Sequence, residues 1–199
     1  MTEGTDKARV LQTVFELLLN ESPLDDAKAK ITGNYPFAAV VRKNRAYSET
    51  IKTRVFLQDG FIDRYTGQKL VFIGALRLMS LLIPDVFPYH PNWKMDSCHI
   101  AYWELAPTLD HVMPIARGGA DEPKNWVTTS MLSNVRKANW TLDELGWPLL
   151  PGGSLAEWDG LIGYFMRYVE ADPVLMNNHK FIRTCYKAAD AAMRTLDSG

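Results

Sequence analysis

The sequence predicts a mostly helical α+β protein, and three observations carry that prediction. Apolar residues recur at helical spacing near both ends of the chain, at Val10, Leu11, Val14, Phe15, Leu17 and Leu18, and again at Leu161, Ile162, Phe165, Met166 and Val169. Between them only short β-like runs occur, such as Leu70-Val71-Phe72-Ile73. At 199 residues, 47% hydrophobic and 23% charged, the chain suffices for one sizeable core and is short for two, so one compact domain with appendages is expected. Within it an N-terminal helical region (1–50), a central region (51–147) with an aromatic and proline-rich insertion at 84–107, and a C-terminal helical region (148–199) are expected.

Composition narrows the setting. The longest apolar stretch, Leu76 to Ile83, is interrupted by Arg77 and Ser80, so no membrane span is expected, and the N-terminus lacks the basic-then-apolar form of a signal peptide. A cytoplasmic location is the default. The two cysteines, Cys98 and Cys185, form no CxxC and are expected as ordinary buried thiols. A formal net charge of -1 gives no global attraction to nucleic acid, so any attraction is local. Arg42, Lys43, Arg45, Lys52 and Arg54 are the basic candidates.

In chain order, helices are expected from about Asp6 to Asn20 and, with Ser22 as cap and Pro23 in the first turn, to about Gly33. Asp25 and Asp26 are read as first-turn acids favoured by the helix dipole. A third helix is expected over Arg45 to Leu57, and a fourth over Ala75 to Ile83 after the β-like run. The segment from Pro84 to Pro107 reads as a cover for the core more than as a groove for stacking bases. A helix is placed from about Val127 to Trp140, on the spacing of Met131, Val135 and Ala138. Thr141 to Glu144 is a capping box, Ser154 to Glu157 repeats the cap signature ahead of a helix ending near Asp172, and a last helix covers about Asn178 to Leu196.

One stretch is more specific. In Thr108-Leu109-Asp110-His111-Val112-Met113-Pro114-Ile115-Ala116-Arg117-Gly118-Gly119 an Asp-His pair ends an apolar run and precedes a glycine turn, with Asn125 and Asn134 downstream. Phosphodiester hydrolysis requires an activated water, a cation and a frame that fixes both. A neutral imidazole such as His111 can take a proton near neutral pH, and Asp110 is a hard oxygen donor suited to Mg²⁺ or Mn²⁺. Adjacent residues on a strand face opposite ways, so both reach one site only where the strand ends or bends. Asn134 is a candidate second oxygen ligand, Arg136 and Lys137 bring positive charge beside it, and Asn125 is suited to pinning the loop.

The arrangement Asp110-His111, Gly118-Gly119, Asn125 and Asn134-x-x-Lys137 resembles the HNH endonuclease family. The resemblance spans about Val55 to Trp140 and implies a ββα-metal core at 51–147 with the N-terminal and C-terminal helices packed around it. It implies His111 as general base, Asn125 as the loop-orienting member of the catalytic set, and Asp110 and Asn134 as metal ligands. Arg136, Lys137, Arg117, Arg54 and Lys52 are the expected nucleic-acid contacts, and the insertion leaves His99 and Glu104 as additional candidates.

The segment Asp63-Arg64-Tyr65-Thr66-Gly67 is similar to the first half of the zinc knuckle of many HNH proteins, with Asp63 and Thr66 at the cysteine positions. Ser130 and Ser133 stand at the second pair. With all four thiols absent, no structural zinc is expected, and hydrogen bonds among Asp63, Thr66, Ser130 and Ser133 are the expected substitute. The implied activity is metal-dependent hydrolysis of DNA, with RNA left open, using one divalent cation: Mg²⁺ foremost, Mn²⁺ or Ni²⁺ as substitutes. The alternative is a nucleic-acid-binding or assembly module that keeps the same frame without cutting; a third is an interaction protein built on its helices.

Overall fold

The computed structural model describes residues 6–37 and 46–196. Its contacts divide the chain into two compact units, Met1–Lys43 and Asn44–Gly199. The first unit ends before residue 50, and the C-terminal helices share the second unit with the central region. Arg42, Lys43 and Arg45 of the basic candidates lie outside the described residues.

The first unit is a helical pair. In α1 (Lys7–Leu19) the Asp6 carboxylate caps the start by accepting from the amides of Ala8 and Arg9 at 3.0 and 3.2 Å. Ser22 does not cap α2 (Leu24–Asn34). Its amide closes back onto the carbonyl of Leu17 at 3.0 Å, and Pro23 takes the cap position with no side-chain bond.

The second unit starts its first helix, α3 (Glu49–Gln58), at the Ser48 cap. Residues 70–72 of the expected β-like run form no strand. The amide of Leu70 goes to Phe61, that of Val71 to Leu105 and that of Phe72 to Gly160, three separate segments, so no ladder develops. Ile73 opens α4 (Ile73–Leu82). The insertion then covers the core: Phe87, Cys98, Ala101 and Tyr102 are buried, and the Tyr102 hydroxyl bonds Ser80 Oγ at 2.8 Å and the Leu76 carbonyl at 3.0 Å. A four-residue turn of helix, α5 (Ala101–Glu104), carries Tyr102 to that position.

Two antiparallel strands follow, β1 (Pro107–His111) and β2 (Trp126–Ser130), with Asp110 opposite Val127 and His111 opposite Trp126. Residues 127–130, expected in a helix, are therefore strand. The β-branched run Val127-Thr128-Thr129 favours it, and its buried residues offer no alternation to read. The helix begins directly afterwards as α6 (Met131–Lys137), capped by Ser130, whose hydroxyl accepts from the Ser133 amide at 3.0 Å. The Thr141–Glu144 capping box forms and starts α7 (Leu142–Leu145).

Ser154 starts only a turn, and the next helix waits until α8 (Ile162–Ala171), where the Asp159 carboxylate accepts from Leu161 and Gly163. A short α9 (Pro173–Asn178) leads to α10 (Lys180–Leu196), which packs on α3 and α4. Ile182, Cys185, Ala189 and Ala192 form its buried stripe, and the alanines and the thiol keep that stripe thin. Around it stand Phe56, Phe61, Phe72, Leu76 and Phe165. The rings of Phe61 and Phe72 and of Phe72 and Phe165 meet edge-to-face at 6.2 and 5.2 Å. Among the described residues no helix is long and apolar enough to cross a membrane.

Candidate active site

The β1–β2–α6 unit carries the residues singled out in the sequence. Alternation along β1 sends Thr108 and Asp110 to one face and Leu109 and His111 to the other. On the first face α6 lies over the strand: Asn134 Nδ2 donates to Thr108 Oγ1 at 3.1 Å, and one turn later Lys137 Nζ lies 3.0 Å from Asp110 Oδ2. The Tyr65 hydroxyl donates to that same oxygen at 2.7 Å. Burial and the adjacent Asp110 charge push the Tyr65 phenol far above its ordinary range, so it stays a donor.

Lys137 corrects the sequence reading. Expected against a phosphate, it has no exposed surface; its ammonium pairs with Asp110 and donates to the His111 carbonyl at 2.7 Å. Helix phase is the reason: Lys137 is three residues after Asn134, so both point at β1.

On the opposite face His111, 8% exposed, approaches Asp121 and Tyr47. Asp121 and Tyr47 were not among the sequence candidates. β1 ends at His111, and the chain returns through a loop pinned by Asn125. Its Oδ1 accepts from the Met113 amide at 2.8 Å, and its Nδ2 donates to the carbonyls of Met113 and Ala120 at 2.9 and 2.8 Å. Gly118 adopts φ +89°, and a Cβ on Gly119 would collide with the Met113 carbonyl oxygen, so the loop needs both glycines.

The knuckle-like segment is cross-linked without thiols. Asp63, fully buried, accepts from the Tyr65 amide at 3.0 Å, the Thr129 hydroxyl at 3.1 Å and the Ser130 amide at 3.0 Å. Ser130 and Ser133 bond each other at 3.0 Å. Thr66 takes no part: it is exposed, and its hydroxyl serves the local turn by accepting from Gln68.

The other candidates disperse. Arg117 is exposed but held, by Glu144 at 3.0 Å and the Asn139 carbonyl at 3.2 Å. Lys52 is half-buried and paired with Glu49. Arg54 and Arg136 are exposed, with no side-chain partner among the described residues. His99 stacks on Phe87 at 4.2 Å with its Nδ1 accepting from the Ala101 amide, a structural position in the insertion. Glu104 is exposed on α5 and, among the described residues, makes no hydrogen bond or ion pair with the Asp110 or His111 side chains.

Compared with family models, characterised proteins and solved structures, the chain gives no match in any of the three. Asp110 Oδ1 and the Asn134 amide oxygen make no hydrogen bond among the described residues and are not sealed from solvent. A carboxylate and an amide oxygen, completed by water, suit Mg²⁺, which takes few protein ligands. The described residues contain no cluster of three or more acidic, histidine or cysteine ligands, so a site here rests on two protein oxygens. The Lys137 ammonium opposes a cation at Asp110, and the open Oδ1 is the atom left for one.

Proposed function

We propose that the chain is a metal-dependent endonuclease that hydrolyses phosphodiester bonds in DNA through an HNH-like core. The observation that most supports this reading is the succession of β1, the Asn125-pinned loop, β2 and α6, which carries Asp110, His111, Asn125 and Asn134 on consecutive elements. His111 takes a proton from water as the water oxygen bonds to phosphorus. The P–O3′ bond breaks, and the departing oxygen takes up a solvent proton, leaving 5′-phosphate and 3′-hydroxyl ends. Asp110 and Asn134 would hold one divalent ion, Mg²⁺ or in its place Mn²⁺ or Ni²⁺, which when bound supplies charge stabilisation at the phosphate. Asn125 keeps the loop after His111 in place, and Arg136 and Arg54 are the exposed cations for backbone phosphates. Plasmid nicking with Mg²⁺, lost in EDTA and reduced about 10²- to 10⁴-fold in His111→Ala, is the expected result. Nicking undiminished in His111→Ala would overturn the assignment.

A second reading is favoured by one contact. The buried Lys137 ammonium already neutralises Asp110 at 3.0 Å, which suits a frame that binds nucleic acid without a metal and without cutting. Such a protein shifts DNA in EDTA and leaves it intact.

A further inference from the structure

Asp121 collects three partners on one carboxylate oxygen. The Tyr47 hydroxyl donates to Oδ1, His111 Nε2 lies 3.0 Å from it, and the Trp126 indole N–H donates to it at 3.0 Å. The partners come from separate elements. His111 and Trp126 face each other across β1 and β2, and Tyr47, just ahead of α3, sets its ring edge-on to Trp126 at 5.2 Å. The bonds from Tyr47 and His111 hold the Asp121 carboxyl down at about 2, so it is ionised across the neutral range.

An ionised carboxylate can only accept, so the hydrogen shared with His111 belongs to Nε2. In a neutral ring the lone pair then lies on Nδ1, which makes no hydrogen bond among the described residues and is not sealed from solvent.

We infer that Asp121 is a positioning residue for His111: it fixes the ring in the tautomer whose Nδ1 takes the proton from water, while Tyr47 and Trp126 hold the carboxylate in place. This rests on the reading of His111 as the base. When Nδ1 takes the proton, the resulting imidazolium keeps its Nε2–H on Asp121, whose negative charge faces the new positive one; the proton then passes to solvent.

The test is long-range ¹H–¹⁵N correlation spectroscopy of the full chain with labelled histidines, without metal, at about pH 8.5, above the ordinary histidine range. The chain has four histidines, and the His111 signals are identified by their loss in His111→Gln. The expected result is the Nε2–H tautomer alone at His111. Asp121→Ala gives a mixture, and Asp121→Asn, whose amide oxygen still accepts, keeps mostly Nε2–H. Tyr47→Phe, which loosens the carboxylate without removing it, moves the signal the same way by less. In nicking, Asp121→Ala lowers kcat on the order of 10²-fold with KM nearly unchanged, and Asp121→Asn recovers part of it. Hydrogen on Nδ1 in the unaltered protein, or a tautomer ratio unmoved by Asp121→Ala, overturns the inference. Absence of nicking with the expected tautomer overturns the nuclease reading alone.

Discussion

Lys137 Nζ stands 3.0 Å from Asp110 Oδ2 and 2.7 Å from the carbonyl of His111, so one buried ammonium ties the end of α6 to both residues of the Asp-His pair. Removing one partner of a buried ion pair leaves the other uncompensated, typically at a cost of about 3–5 kcal/mol. Lys137→Met is expected to destabilise the protein by that amount in urea unfolding. Adding Asp110→Asn, which can still accept from Tyr65, should recover much of the loss. A Lys137→Met variant within about 1 kcal/mol of the parent would show that no desolvated pair exists.

Asp63 gives a second prediction. Its two carboxylate oxygens serve three donors, and Asp63→Ala leaves the amides of Tyr65 and Ser130 and the Thr129 hydroxyl without acceptors. At about 1–3 kcal/mol for each stranded buried group, a loss of roughly 3–5 kcal/mol is expected once partial relaxation is counted. Thr66→Ala should change stability by less than about 0.5 kcal/mol, as surface substitutions do. Denaturant melts of the two variants separate these expectations, and equal losses would refute the assignment of the cross-link to Asp63.

Ala138 closes α6 with φ +46° and ψ -120°, followed by a bond from the Trp140 amide to the Lys137 carbonyl at 2.9 Å. This is the geometry of a turn whose first central residue is ordinarily glycine. Ala138→Gly should therefore stabilise the protein by about 1 kcal/mol, since strain of this kind costs about 1–3 kcal/mol and glycine returns part of it as chain entropy. A fall in the thermal midpoint would contradict it.

Burial pushes the Cys185 thiol from its ordinary 9.0 up to about 12. The folded state thus favours the neutral thiol: its contribution to stability is complete below pH 9 and is lost as pH rises towards 12. Cys185→Ala should flatten that alkaline decline. In a Cys98→Ser background, an aromatic disulfide reagent at about pH 8 should modify Cys185 only as fast as the protein unfolds. Rapid labelling of the folded chain would refute the burial of this thiol.

How much of this was legible in the sequence varies with the kind of signal. Asp110, His111, Asn125 and Asn134 stand out in the sequence because a short motif fixes their spacing, and the loop bonds of Asn125 follow from an amide placed between two turns. Residues 127–130 read as helix because Val127 sits four residues before Met131 and so extends the helical spacing of α6 backwards. Their Val-Thr-Thr run is the better guide. The phosphate role expected of Lys137 rests on its charge and its place beside Asn134, neither of which carries information about which way a side chain faces. Tyr47, Tyr65 and Asp121 were missed for a different reason: Tyr47 lies 74 residues from Asp121 and Tyr65 lies 45 from Asp110, and only the folded chain brings them together.

Ser130 is at once the last residue of β2 and the cap of α6, so the strand passes into the helix with no slack between them. Strand register and helix rotation are therefore geared to one another. A single residue inserted after Ser130 would turn α6 by about 100°, swinging Asn134 and Lys137 together away from β1. A segment with such gearing tolerates substitution far better than any change of length, and indels between 126 and 137 should be lethal to the site even where the sheet survives.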